Sequence, residues 1–399
     1  MLEKWNKDAE YDLGFYRLIN RGLGIYPFEC QEVFSIIRMI IVLTINWIML
    51  YEQVIDLISG CGQTEEIIES IVGALSYPVA IAKIILPRVY WRNMKIILES
   101  AVEDWSRQND AEAKRTMMEW VAIGRFTFLL EITSLCMLLT YTTISHFPFF
   151  LLTQNHRENS SAMIDGSLPW GSGCWLPSNT SNQMFLIAYF ATCIQQIVGS
   201  LSNMGFDVSL FIILSHMCGQ IEILKLDSGR NWNGTSFDSS KNPQEVYRQF
   251  IDRHNHLLNL CDLFERSFNV IILIHMVLYL GLVTILLLNT FVAWYYQNIA
   301  MVIKAVFELM IIYVQLFVYC YAGEKLTNQL ENLRDEVYSS PWYTLPKKSM
   351  QDVCFILRRL NDPFYLTCGK FYRMNMDYFK NIVKLTASYC SVIRLMFYD

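Results

Sequence analysis

Residues 270–294 read VIILIHMVLYLGLVTILLLNTFVAW, and residues 299–322 read IAMVIKAVFELMIIYVQLFVYCYA. The first run has no Asp, Glu, Lys or Arg, and the second has only Lys304 and Glu308. A helix crosses a bilayer with about 20 predominantly apolar residues. Each run is therefore a membrane span, and the pair sets the class as an all-α membrane protein. Outward from them lie further runs at Val33–Tyr51, Ile67–Leu86, Phe126–Ile144, Met184–Leu214 and Phe379–Met396. Glu69 and Lys83 interrupt the second span, and Lys380, Lys384 and Arg394 crowd the seventh. The fourth is too long for one crossing and is expected to tilt or to project beyond the membrane.

Composition agrees. Of the 399 residues 53% are hydrophobic and 17% charged, with a mean hydropathy of +0.26. Soluble domains carry about 25% charged residues. A disordered chain, a coiled coil and a secreted disulfide scaffold are excluded. The net charge of −5 gives no basic excess for nucleic acid. The eleven cysteines are odd in number and contain no CxxC, and most lie in apolar runs as small hydrophobes. The first 24 residues lack an apolar core, so no cleavable signal peptide is expected.

Lys and Arg set the orientation. The N-terminal segment and the segments after spans two, four and six hold four, seven, six and eight. The alternate segments, 52–66, 145–183 and 295–298, hold none, one and none. This predicts seven transmembrane helices with a cytoplasmic N-terminus and an extracellular C-terminus. Two sequons, at Asn159 and Asn179, fall in the expected outer loop, while a third, at Asn233, falls inside. Cys61 and Cys174 both fall outside; a disulfide and two free thiols are equally compatible with that placement. Residues 88–122 and 245–268 have helical apolar periodicity without the hydrophobicity to span, as in Val246, Phe250, His254, Leu257, Leu258 and Cys261. They read as cytoplasmic extensions of spanning helices. Residues 227–243, rich in Ser, Asn and Gly, read as a loop.

One domain covers 1–399. It divides into a cytoplasmic N-terminus (1–32), spans one to six (33–322), a cytoplasmic region (323–378), and a last helix with a short outer tail (379–399). No HExxH, P-loop, GxSxG or dinucleotide fingerprint is present. An enzyme, a bound cofactor and a metal are not expected. His254 and His256 read as residues of a solvated helix face. Charges within spans are functional candidates. Of these, Lys83 is expected to snorkel and Lys304 to pair with Glu308 four residues on. Glu131 and Asp207 are divided between lining a cavity and a structural hydrogen bond. The outer halves of the spans are rich in aromatic, Met and small polar residues. They suit an apolar concave site for a small neutral or weakly polar ligand. The candidate lining residues are Tyr77, Ile81, Leu135, Leu139, Thr143, Tyr189, Cys193, Phe307 and Met310; for any one of them, simple helix packing is the competing role.

An ordered series then closes the chain. Gly323-Glu324 ends span six. It is followed by Pro341-Trp342-Tyr343, Leu345-Pro346, Pro363, Leu366-Thr367-Cys368-Gly369-Lys370-Phe371 and Ser388-Tyr389. This series resembles the C-terminal signature of insect odorant receptors, over about a fifth of the chain. The resemblance implies a subunit of a ligand-gated, non-selective cation channel. Such a tuning subunit assembles with a shared co-receptor as a heterotetramer around one pore in the plasma membrane of a sensory neuron dendrite. Odorants then bind between the outer halves of spans two, three, four and six. The cytoplasmic extensions, here Val246–Phe268 and Val353–Leu360, pack as an anchor. The last helix lines the pore, with Val392 and Met396 matching the constriction and Tyr389 one turn deeper. The co-receptor's longer insertion between spans four and five is absent, which points to a tuning receptor. A gustatory-type receptor channel shares the fold but not the Gly-Glu and Pro-Trp-Tyr elements. A G-protein-coupled receptor needs the opposite orientation, an Asp-Arg-Tyr and an Asn-Pro-x-x-Tyr. A transporter predicts matched broken helices, and only Pro78 interrupts a span here.

Overall fold

The computed structural model describes residues 5–60, 62, 64–148, 168–171, 173–177, 180–232, 243–344, 346–362 and 364–398. Its helices are α1 (Lys7–Gly22), α2 (Val33–Ser59), α3 (Thr64–Val89), α4 (Trp91–Arg107), α5 (Ala111–Ser145), α6 (Asn182–Trp232), α7 (Pro243–Tyr295), α8 (Ile299–Ser339), α9 (Lys347–Leu360) and α10 (Met376–Tyr398). A two-stranded hairpin, β1 (Thr367–Cys368) and β2 (Tyr372–Arg373), precedes the last helix. Side-chain caps set several helix starts: Asn6 accepts from Ala9 N, Asp110 from Glu112 N and Asn298 from Met301 N. Gly60, in the left-handed region at φ 59°, ends α2.

Among the described residues six helices, α2, α3, α5, α6, α7 and α8, are long and apolar enough to cross a membrane. The protein is a multi-pass membrane protein. The helix expected as the seventh span, α10, is continuous over 23 residues and stands outside those six.

The core is built around α6. It packs against α1 to α5, α7 and α8, and 72% of its apolar window is buried, against 17% for α2 and α5. Its excess length resolves into a projection: 51 residues run unbroken from Asn182 to Trp232. The predicted loop is shorter than expected, because residues 227–232 continue α6 and α7 begins at Pro243. The residues between, Asn233 included, lie outside the described residues. So do Asn159, Asn179 and Cys61. Cys174 is disulfide-bonded.

At one end of the bundle α1, α4 and α9 wrap the extended ends of α6, α7 and α8 in a continuous apolar core. A polar knot lies within it. Trp105 Nε1 donates to Asp12, His216 lies 2.9 Å from Asp12 and 3.3 Å from Asp104, and Arg253 reaches Asp104 at 2.7 Å. Of the histidine pair of α7, one departs from expectation. His254 is buried and stacks on Phe250, while His256 stays exposed, 2.8 Å from Ser100. The cause is that α4 and α9 cover one side of this part of α7 and leave the other solvated.

Candidate ligand cavity and the support of the last helix

A cavity of about 200 Å3 lies between α3, α5, α6, α7 and α8, capped by Trp170. Each helix contributes one face. On α8 the lining positions Glu308, Ile311, Ile312 and Gln315 recur at three- and four-residue spacing. Val72, Leu135, Leu138, Leu139, Leu282 and Leu286 form the apolar wall, and Ser76, Ser134, Gln196, Ser200 and Asn203 add polar groups.

Three of the nine sequence candidates, Tyr77, Leu135 and Leu139, line this cavity. The other six do not. Thr143 turns its hydroxyl to the Leu139 carbonyl of its own helix, and its carbonyl accepts from Tyr189 at 2.6 Å. Tyr189 and Cys193 belong to a separate cluster with Leu168, Phe185 and Ala188. Ile81 is buried elsewhere on α3, Phe307 is half-buried, and Met310 is 51% exposed. Apolar runs disclose that a helix spans but not which face turns inward, and this accounts for the misses. Gln315 and Tyr279 were missed for the same reason, and Trp170 because it lies outside the spans. The in-span charges at Glu131 and Glu308 were the usable signals.

The charged residues also pair differently from expectation. Lys83 does not snorkel. It is fully buried, 2.8 Å from Asp207, with Tyr319 donating to the same carboxylate. Lys304 pairs across to Glu69 on α3, not with Glu308. Long-range packing thus supplies a partner where local spacing had offered another. Several polar atoms of cavity residues remain unpartnered: both oxygens of Glu131, Oε1 of Glu308, Oδ1 of Asn203 and Nε1 of Trp170.

The Gly-Glu pair at the end of the sixth span has a structural task. The Glu324 carboxylate accepts from Met376 N at 2.7 Å, at the start of α10. A carboxylate there satisfies a free amide and complements the helix dipole. Gly323 permits the approach, since a Cβ would collide with the Met374 carbonyl. The hairpin completes the seat. Its turn residues Gly369 and Lys370 have φ of 57° and 65°, and a Cβ on Gly369 would stand 2.5 Å from Leu273 of α7. Gly369 N donates to Asn269 O, and Thr327 donates to Phe364 O. The spacing of the closing motif is thereby a set of contacts that tie the hairpin and the start of α10 to α7 and α8.

Helix α10 buries Ile382 and Thr386 and leaves Tyr389 and Val392 exposed at 43% and 54%. Met396 is on the same helix; its side chain lies outside the described residues. Tyr279 and Ile312 line both the large cavity and a small void beside Tyr378 and Ile382 of α10.

The family model of the 7tm odorant receptors matches residues 63–387. Odorant receptor 22c of Drosophila melanogaster is 23% identical over 191 residues, 45% of this chain and 46% of that protein. The chain thus spans just under half the length of that relative. Odorant receptor 13a of the same fly is 20% identical over 361 residues, 84% of this chain and 80% of the other. Among solved structures, the olfactory receptor OR5 of Machilis hrabei in complex with eugenol superposes with a TM-score of 0.73 at 15% identity. That match covers 98% of this chain and all of that one. At that identity the likeness is one of fold.

Proposed function

This chain belongs to the 7tm odorant receptor family, a receptor family and not an enzyme family, and from that premise we propose that it is a tuning subunit of an odorant-gated cation channel. The reading has seven membrane helices, a cytoplasmic N-terminus and an extracellular C-terminus. The subunit forms a heterotetramer with a shared co-receptor in the plasma membrane of a sensory dendrite, among membrane lipids. Cations pass a central pore lined by α10, with Val392 and Met396 at the constriction. Volatile ligands occupy the cavity of α3, α5, α6, α7 and α8. Engineered cavities of about 150 Å3 take up benzene, so this one suits a volatile slightly larger. The neighbour solved with eugenol is consistent with a ligand of that scale.

The observation that carries the reading is that cavity and last helix share one support. Helix α8 lines the cavity through Glu308, Ile312 and Gln315, and twelve residues after Ile312 it holds the start of α10 through Glu324. A ligand that shifts α8 therefore moves the base of α10. The exposed face at Tyr389 and Val392 is the one left for the pore. A ring of apolar side chains there closes a pore by dewetting until the helices separate.

The test is current recording from cells expressing this chain with and without a co-receptor, against a panel of volatiles. Odorant-evoked cation current is expected only with both subunits. An N-terminal tag stained on intact, unpermeabilised cells, or full current from this chain alone, overturns the reading.

A further inference from the structure

We propose that the ligand of this cavity carries an amino group, bound as an ammonium ion by Glu131 with Glu308 as the second carboxyl. The inference rests on the receptor reading above and adds the ligand's chemical class. The expectation of a neutral ligand came from the apolar lining alone; the structure adds two carboxyl groups with no cation of their own.

Glu131 is 8% exposed, lines the cavity, and neither of its oxygens has a hydrogen-bond partner. Glu308 is 9% exposed, lines the same cavity, and its Oε1 is unpartnered. The lysines nearby are engaged with other carboxylates: Lys83 with Asp207, and Lys304 with Glu69. These are the same groups that act electrostatically on the two cavity residues: Asp207 and Lys83 on Glu131, Lys304 and Glu69 on Glu308. Each is a neutral pair, so neither supplies a spare positive charge. No Lys, Arg or His lines the cavity.

The hydrogen-bond inventory points the same way. The unpartnered atoms are four acceptors (two on Glu131, one each on Glu308 and Asn203) and a single donor, Trp170 Nε1. An ester or ketone brings only acceptors: it can take the one O–H of a protonated carboxyl but leaves the other carboxyl oxygens unmet. An alcohol brings one donor. An ammonium group brings three donors and the missing charge. The rings of Tyr77 and Tyr279 line the same space and favour a cation over their faces, whereas the Trp170 ring already carries Lys304 Nζ at 5.5 Å. A neutral amine entering and taking the proton of a carboxylic acid gives the same ion pair as an ammonium meeting a carboxylate. The nitrogen lone pair accepts the proton, the O–H bond breaks, and no other reactant is needed. The apolar wall and the cavity's size leave room for a short alkyl chain or one aromatic ring.

Matched pairs decide it: 2-phenylethylamine against 2-phenylethanol, and hexylamine against 1-hexanol, as dose–response currents on cells expressing this chain with a co-receptor. The amines are expected to act at concentrations at least about tenfold lower than their alcohols, the scale of a charge-assisted bond in a dry site. In Glu131→Gln that ratio is expected to fall to within about twofold, and in Glu308→Gln to shrink by about threefold. Tyr189→Phe, away from the cavity, keeps the wild-type ratio. Alcohols that gate current as well as or better than the amines on the wild-type protein overturn the proposal without any variant, while the receptor reading stands. An undiminished ratio in Glu131→Gln does the same. If no volatile of either class evokes current or raises the melting temperature of the purified protein, both the proposal and the receptor reading fall.

Discussion

The cavity and the seat of the last helix are built by opposite means. At the seat, main chain meets main chain or a carboxylate: Glu324 on Met376 N, Gly323 under the Met374 carbonyl, Gly369 against Leu273 and Asn269. Few residue types fit such contacts. In the cavity five helices and Trp170 contribute mostly side chains, and several polar atoms have no partner. Many residue types fit there, and each choice changes what binds. One region fixes how a helix is held, and the other leaves free energy available for a ligand. The Lys83–Asp207 pair, joined by Tyr319 and approached by Gln315 of the cavity wall, lies where the two regions meet.

Breaking that pair has the largest expected effect. Lys83→Met leaves the Asp207 carboxylate buried and uncompensated, at a cost of about 3–5 kcal/mol. Surface delivery and the melting temperature in detergent should both collapse. The double variant Lys83→Met with Asp207→Leu should regain most of the loss, because an apolar pair of similar volume removes the stranded charge. A single variant that melts like the wild type would show that the boundary between the two regions is wet and the comparison misdrawn.

The seat comes next. Gly323→Ala forces a Cβ into the Met374 carbonyl, and overpacking of this kind costs about 1–3 kcal/mol. Glu324→Ala removes a helix cap worth about 1 kcal/mol. Both should alter maximal current and ligand-free opening, since α10 loses its registered start. Neither should change the order of potency among volatiles. A reordered potency series in Glu324→Ala, measured by dose–response on the same panel, would join seat and cavity into one unit and end the distinction.

The same contrast explains what the sequence disclosed. Spans one to six were legible because each satisfies its own backbone and exposes a long apolar run, which composition reports directly. The seat was legible as a motif, Gly323-Glu324 through Gly369-Lys370, whose two glycines stand where a Cβ would collide with a neighbour. Its purpose was not legible, since only the fold brings Glu324 beside Met376. The cavity was hardly legible. Tyr77, Leu135 and Leu139 line it, but Met310 is a hydrophobic residue of equal promise that faces outward, two residues from Glu308 and five from Gln315. Hydropathy cannot distinguish a lipid-facing methionine from a cavity-facing one, because both neighbours are apolar. Charge was the better guide: Glu131 is costly in a membrane and therefore demands a partner. Even so, the partners of Lys83 and Lys304 lie 124 and 235 residues away in sequence. No spacing rule reaches that far.

The smallest expected effect tests the cavity's outline at single-atom scale. Tyr77 and Tyr189 are both buried tyrosines in the outer region, and from the sequence they were equal candidates. Tyr77 lines the cavity. The Tyr189 hydroxyl is instead spent on the Thr143 carbonyl at 2.6 Å, inside a separate cluster. Removing each hydroxyl by substitution to Phe therefore separates two kinds of loss. Tyr77→Phe should shift the half-maximal concentration of ligands that bear a hydrogen-bonding group by about two- to tenfold, as expected for one neutral hydrogen bond of about 0.5–1.5 kcal/mol. Purely hydrocarbon ligands should shift less. Tyr189→Phe loses a bond within the protein, so its effect belongs in the melting temperature, with the potency series kept in order. Equal ligand shifts in the two variants would mean that the cavity extends past Thr142 to the cluster around Phe185, and that the wall between them opens when a ligand binds.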